Sequence, residues 1–394
     1  MHIVPAPRNL TPHTNEIITI SPENICLGHY VKRFNILFIS CRFQIMLVNL
    51  QLFTIHIIIF FKLYQMTEVS ITEKKRIKYI DIAKGIGILF VILGHCEFHQ
   101  FLILKFLSGI AWMFHMPLFF IVSGLFFKKK GKEITFALLK RLVVPFYFTI
   151  LLFVLFYLVT GHIDESKEWI WGGVYGSGVT YSTPFYIKGV GAIWFLLALF
   201  WAKIFLNYIV HLPEYLVLVL VALLAYWGVF SYSLFVLPLE IQNGCIGLLY
   251  LYIGFLANKY SLLQKIYLPL FVFSLLIWGL GYFNGYGYMT LVNCKVDLIS
   301  IIVSCCACYV VIIFSKLLER LKLICDFFTW LGKNTIIILC FHMFELYTGI
   351  SNKIAVMLFS VDNDITIILV RMIWCLLFAL IIPKTPVVRK IFSL

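Results

Sequence analysis

The chain is expected to fold as an all-α, polytopic integral membrane protein with about ten transmembrane helices. Two observations lead there. Of 394 residues 62% are hydrophobic and only 13% charged, where a soluble domain averages about 25% charged residues. The apolar residues also fall into successive runs of about 20, the length that crosses a bilayer as helix, and polar breaks separate them. Mean hydropathy is +0.98.

Residues 1–65 stand apart. The first thirty show no helical pattern, and Ile36–Tyr64 is apolar but broken by Arg42, His56 and Lys62. The segment lacks the basic start and small-residue cleavage site of a signal peptide. Met66 opens a short polar lead, so 1–65 is read as an atypical extension, with Met66 as the natural start and 66–394 as the working domain. The spans then fall at about 80–98, 110–127, 142–160, 191–210, 215–231, 237–257, 266–283, 296–315, 333–350 and 365–382.

Charge orients them. Lys74, Lys75, Arg76 and Lys78 precede the first span, and basic residues mark cytoplasmic loops. The same side collects Lys128–Lys132, Lys140 and Arg141, then Lys259 and Lys265, then Lys316, Arg320 and Lys322, then Lys384, Arg389 and Lys390. Both termini are therefore expected in the cytoplasm if Met66 is the start. The net charge of +14 reflects these loops and does not point to nucleic acid. The segment 161–190 is expected outside. Its Gly, Tyr and Trp suit an interfacial aromatic belt, and equally carbohydrate stacking. The eleven cysteines follow neither zinc nor disulfide spacing, and most read as small buried apolar residues.

Several stretches carry chemistry into the apolar runs. The first span holds Asp81, Lys84 and, eleven positions after Lys84, His95. At about 100° per residue Lys84 and His95 share a helix face, His95 lying ~16 Å further along. Ionisable groups inside a membrane point to function. His95 and His99 have metal-ligand spacing, but no second ligand cluster accompanies them, so no metal is expected. Gly87 and Gly94 offer a smooth side for a packing helix. The second span reads Phe114-His115-Met-Pro117-Leu-Phe-Phe-Ile-Val-Ser123-Gly124. Pro117 should kink the helix or free a carbonyl, while Ser123 either meets substrate or bonds back to its own helix.

Lys140 and Arg141 precede the third span with Pro145, where a guanidinium can hold phosphate. Plain loop anchoring is the simpler alternative. Trp194 opens the fourth span as substrate contact or interface anchor. Later, Leu331-Gly-Lys-Asn-Thr leads into a helix bearing His342 and Glu345 on one face. Arg371, inside the last span, needs a partner there, and Glu345 is the candidate.

Taken together, these motifs in this order resemble the membrane-bound acyltransferase 3 family over residues 75–385, with the sugar O-acetylase branch that includes fucose 4-O-acetylase-like proteins most similar. The resemblance implies an O-acyltransferase of the bacterial inner membrane. Its co-substrate would be an acyl-CoA, acetyl-CoA foremost, with no cofactor bound. Its acceptor would be a hydroxyl of a cell-surface glycan or lipid-linked sugar. Carried over residue by residue, His95 is the catalytic base, with Lys84 and Asp81 beside it in the motif. Arg141, Lys140, His115, Ser123, Trp194, His342 and Glu345 contact donor or acceptor. The chain departs twice from the family pattern. Lys84 stands where the family has arginine, keeping the charge and losing the bidentate fork, and Leu138 takes the first place of an Arg-x-x-Arg pair. The rival reading is a transporter or flippase of a lipid-linked glycan, which intramembrane charges also fit. Two related sequence halves would favour it, and none is visible.

Overall fold

The computed structural model describes residues 77–394, except 97–100, 132, 183–184, 233, 288–296, 360–363 and 393–394. Contacts divide the chain into two units, Met1–Ile57 and Ile58–Leu394, and every described residue belongs to the second. The expected start at Met66 falls outside the described residues, and so does His99 of the His95/His99 pair.

Among those residues the chain is helical, with one isolated bridge, Tyr181 to Ile187. Helix α1 is Lys78–Gly94 and α2 is Leu102–Leu125. Helix α3, Glu133–Val159, carries a π turn at Leu139–Val143. Then follow α4 (Ile163–Tyr175), α5 (Trp194–Ile209), α6 (Glu214–Tyr232), α7 (Ile241–Lys259), α8 (Leu268–Phe283) and α9 (Leu298–Leu318). The chain closes with α10 (Lys322–Lys333), α11 (Thr335–Thr348), α12 (Ile350–Phe359), α13 (Asp364–Ile381) and α14 (Pro386–Ile391).

Seven helices are long and apolar enough to cross a membrane, or eight if the bent pair α10–α11, which turns by 70°, is one span. This is fewer than the ten expected. The expected spans near 80–98 and 266–283 are helices too, α1 and α8, but of 17 and 16 residues. Length accounts for both, and α1 also carries Lys78, Asp81 and Lys84.

Close backbone approach organises the bundle. Without water between them, membrane helices gain by packing small residues face to face. A Cβ on Gly124 would lie 1.9 Å from the Leu251 carbonyl oxygen, and one on Gly254 would lie 2.0 Å from that of Ile121. Helices α2 and α7 thus cross backbone to backbone. Likewise α10 lies across the first half of α1, where a Cβ on Gly85 would meet Phe328 O at 2.3 Å and one on Gly332 would meet Asp81 O at 1.9 Å. Gly87 and Gly94 face α2, against Leu118 and Ala111.

Helix α2 runs unbroken through Pro117. Of the two expected effects the freed carbonyl follows directly, since the missing N–H leaves the Met113 carbonyl without its helical donor. In α3 the same chemistry acts at Pro145. Its ring cannot donate to Arg141 O, and the π turn lies just before it. Not all the aromatic residues of 161–190 form a belt. Trp169 is fully buried, stacked on Phe153 at 3.7 Å and met edge-on by Tyr347 at 5.1 Å. Helix α4 therefore packs on α3 and α11 through its indole.

Candidate functional site

Helix α1 has two chemically distinct ends. Asp81 and Lys84 form an ion pair one turn apart at the first. The acid sits in the opening turn, where the helix dipole favours it. His95 caps the other end, ~16 Å away by helix rise. The sequence placed Lys84 and His95 on one helix face. The structure keeps Asp81 and Lys84 with each other and surrounds His95 with other residues.

The His95 ring lies 5.7 Å from that of His342 and 5.1 Å, edge-on, from that of Trp112. Trp112 in turn meets His115 at 5.3 Å. His95 and His115 thus flank one indole, and His342 of α11 joins them through His95. His115 is buried and paired through Nδ1 with its own helix at Ala111 O, one turn back.

His342 is the most tightly held. It is fully enclosed, and its Nδ1 pairs with Glu345 Oε1 at 3.0 Å. A carboxylate there accepts a hydrogen bond from Nδ1–H, which keeps the proton on Nδ1 and leaves the Nε2 lone pair as the basic position. Glu345, also fully enclosed, accepts from the Ser351 hydroxyl through Oε2 and lies 3.5 Å from Arg371 Nε. This is the partner expected for Arg371. That guanidinium also donates from Nη1 to His95 O at 3.1 Å and to Cys96 Sγ at 3.3 Å. One arginine thus joins α13 to the end of α1 and to the acid of α11.

His95 differs from His342 in burial: it is only half-buried. The Nε2 atoms of His95, His115 and His342 are all buried without a hydrogen-bond partner. Such atoms cost free energy unless used, and three in one cluster mark a place for polar ligand groups.

Between this cluster and the Lys84 end lies a small apolar void of about 30 Å³. Ile88, Val91, Met116, Phe119, Phe195, Leu196 and Leu339 line it, and Thr335 supplies the one hydroxyl.

The remaining expected residues lie elsewhere. Trp194 is buried beside Phe195 at the start of α5, so it is not an interface anchor. The turn before it is tied to the cluster, since Ala192 N–H donates to Met343 Sδ at 3.2 Å. Ser123 is half-buried on α2, two turns beyond His115. Lys140 and Arg141 are exposed on the π turn. Among the described residues no group of three metal-ligating side chains forms. Trp112, Ser351 and Cys96 were not anticipated. Nothing in their local sequence distinguishes them, because their roles come from neighbours on other helices.

No curated protein and no solved structure matches the chain. The family described as "Acyltransferase domain", acyltransferase 3, matches residues 77–383. That span covers well over half of the chain and every residue of the cluster. By this match, and with the apolar helices that carry the histidines, the chain is a multi-pass membrane acyltransferase and belongs to the acyltransferase 3 family.

Proposed function

We propose that the protein is an O-acyltransferase that moves an acetyl group from acetyl-CoA to a hydroxyl of a cell-surface glycan or lipid-linked sugar. It would work in a bacterial inner membrane, as in the fucose 4-O-acetylase-like branch. One observation carries the reading: partly buried His95 lies ring to ring at 5.7 Å from a fully enclosed His342 whose other nitrogen is held by Glu345.

This arrangement suits general-base chemistry. His95 is the imidazole that substrate can reach. A modest rotation of the two rings pairs the His95 Nε2–H with the lone pair on His342 Nε2, and His95 Nδ1 then faces the acceptor hydroxyl as the base. The hydroxyl oxygen attacks the thioester carbonyl and its proton passes to His95. The tetrahedral intermediate collapses by breaking the C–S bond, and the proton returns to the leaving thiolate. The donor's thioester arm runs along the apolar seam of Ile88, Val91 and Leu339, which must part to admit it, with Arg141 and Lys140 near its phosphates and Asp81–Lys84 holding the inner end of α1. Trp194, His115 and Ser123 flank the path.

The Lys84 end faces the cytoplasm in this reading, with both termini there. Ten spans are reached by adding α1 and α8 to the eight. Membranes from cells expressing His95→Ala, with the protein inserted at normal level, should incorporate no label from acetyl-CoA carrying a labelled acetyl group. Mass spectrometry of the surface glycan should show loss of one acetyl unit per modified sugar. Undiminished acetylation in that variant overturns the assignment.

A further inference from the structure

Acyl transfer as proposed uses two of the three enclosed imidazole nitrogens. His95 Nε2–H is matched to the lone pair on His342 Nε2, and His115 Nε2 is left over. That atom is buried without a hydrogen-bond partner, in a residue only 1% exposed. An enclosed polar atom destabilises the fold unless something else pairs with it.

The other side of the ring shows what kind of group this is. His115 Nδ1 pairs with Ala111 O. A carbonyl oxygen can only accept, so the proton sits on Nδ1 and Nε2 of the neutral ring is an acceptor. The absent partner is therefore a donor, a hydroxyl or an N–H, and not an ionised phosphate or carboxylate. Among the described residues none supplies it. The Cys308 thiol, which reaches the adjacent residue from α9, donates to Phe114 O at 3.6 Å instead.

The bond to Ala111 turns the ring back along α2 towards the end of α1. There the two helices pack closely: a Cβ on Gly94 would lie 3.4 Å from Ala111 Cβ and 3.6 Å from Trp112 Nε1. His95 follows Gly94 directly. Trp112 meets His95 at 5.1 Å and His115 at 5.3 Å, so the two imidazoles stand no more than about 10 Å apart across one indole. A sugar ring with a hydrogen bond of ~2.8 Å at each end fills such a span. The half-buried indole between them offers an apolar surface for the C–H face of that ring.

We infer that His115 Nε2 receives a second hydroxyl of the substrate, which is a polyol held at two points. One hydroxyl lies at His95 for transfer and another at His115 for orientation. That this polyol is the acyl acceptor rests on the function proposed above; the need for a donor at His115 does not. The other source of a donor is an amide N–H of the acyl-CoA arm.

Two substitutions separate the nitrogens of His115. The short amide of His115→Asn replaces Nδ1, keeping the bond to Ala111 O and removing Nε2. The longer amide of His115→Gln restores an acceptor near the Nε2 position and gives up that bond. With the membrane's own glycan as acceptor and acetyl-CoA carrying a labelled acetyl group, His115→Asn should transfer about tenfold more slowly. His115→Gln should stay within about threefold of the parent, and the KM for acetyl-CoA should be unchanged in both. Parental rates in His115→Asn overturn the inference, since only the bond to Ala111 then matters. Equal losses in both variants overturn it too, and so does a raised KM for acetyl-CoA in His115→Asn, which gives the amide N–H as the donor. A second measurement is independent of catalysis: saturation-transfer NMR on the full chain in nanodiscs with methyl glycosides of glucose, galactose, mannose and fucose, each also fully O-methylated. Saturation of a free glycoside but not of its O-methylated form, weakened in His115→Asn, supports the seat even where no label is transferred, and the acyltransferase reading then falls alone. Saturation of none of them overturns the seat and leaves the acyltransferase reading standing.

Discussion

Each polar side chain at the histidine cluster has a distinct consequence when changed. Glu345→Gln keeps the volume and one acceptor oxygen but no longer favours the basic tautomer of His342. Turnover is expected to fall about ten- to a hundredfold, with donor KM unchanged, as read from initial rates in membranes. Arg371→Met removes the charge facing Glu345 and leaves a carboxylate enclosed without its partner. Such a loss costs about 3–5 kcal/mol, and the melting temperature in detergent should drop accordingly. The double variant Arg371→Met with Glu345→Gln should recover part of that loss, because the stranded charge is gone. At this scale the sequence was partly legible. A histidine, a glutamate and an arginine inside apolar runs advertise themselves by desolvation alone, which is why His95, His342, Glu345 and Arg371 stood out. Trp112 and Ser351 did not, since an indole or a hydroxyl in a membrane helix needs no special explanation.

Helices meet here through backbone contact, so their glycines are sensitive. Gly124→Leu or Gly254→Leu inserts a side chain where even a Cβ would come within about 2 Å of a carbonyl oxygen. Helices α2 and α7 must then separate, and little monodisperse protein should survive size-exclusion chromatography. Gly131, with open space around its Cβ position, serves as the control and should accept alanine without change. Pro145 acts differently. Pro145→Ala restores an N–H that can bond to Arg141 O, and this favours α-helical register over the π turn. Lys140 and Arg141 would rotate relative to α5. Donor KM should rise severalfold at nearly constant kcat, which a steady-state titration of acetyl-CoA will show. The π turn was legible in retrospect from Pro145 within an otherwise helical run. The 70° bend between α10 and α11 was foreshadowed only by Lys333, Asn334 and Thr335 opening the later helix.

For the molecule as a whole, composition was sufficient to establish helices in a membrane, because few other structures satisfy backbone groups in lipid. The number of crossings was less legible. Hydropathy counts apolar residues, whereas α1 and α8 turn out shorter than a typical span, and α10 lies bent against α11. Cysteine labelling from either side tests the proposed orientation. Residues in the loop around Gly131 should react from the cytoplasmic side, and those around Gly161 from the outside. The reverse result would invert the donor's direction of entry. The Arg371 clamp has a consequence in time as well as in space. His95 ends the first described helix and Arg371 lies 276 residues later. A ribosome must therefore thread nearly the whole chain into the bilayer before the guanidinium can meet the His95 carbonyl and Glu345. Until then the early helices hold a histidine with no carboxylate-backed neighbour. A chain truncated before Arg371 lacks the guanidinium that ties the end of α1 to Glu345, and is expected to show no transfer if His95 is the base.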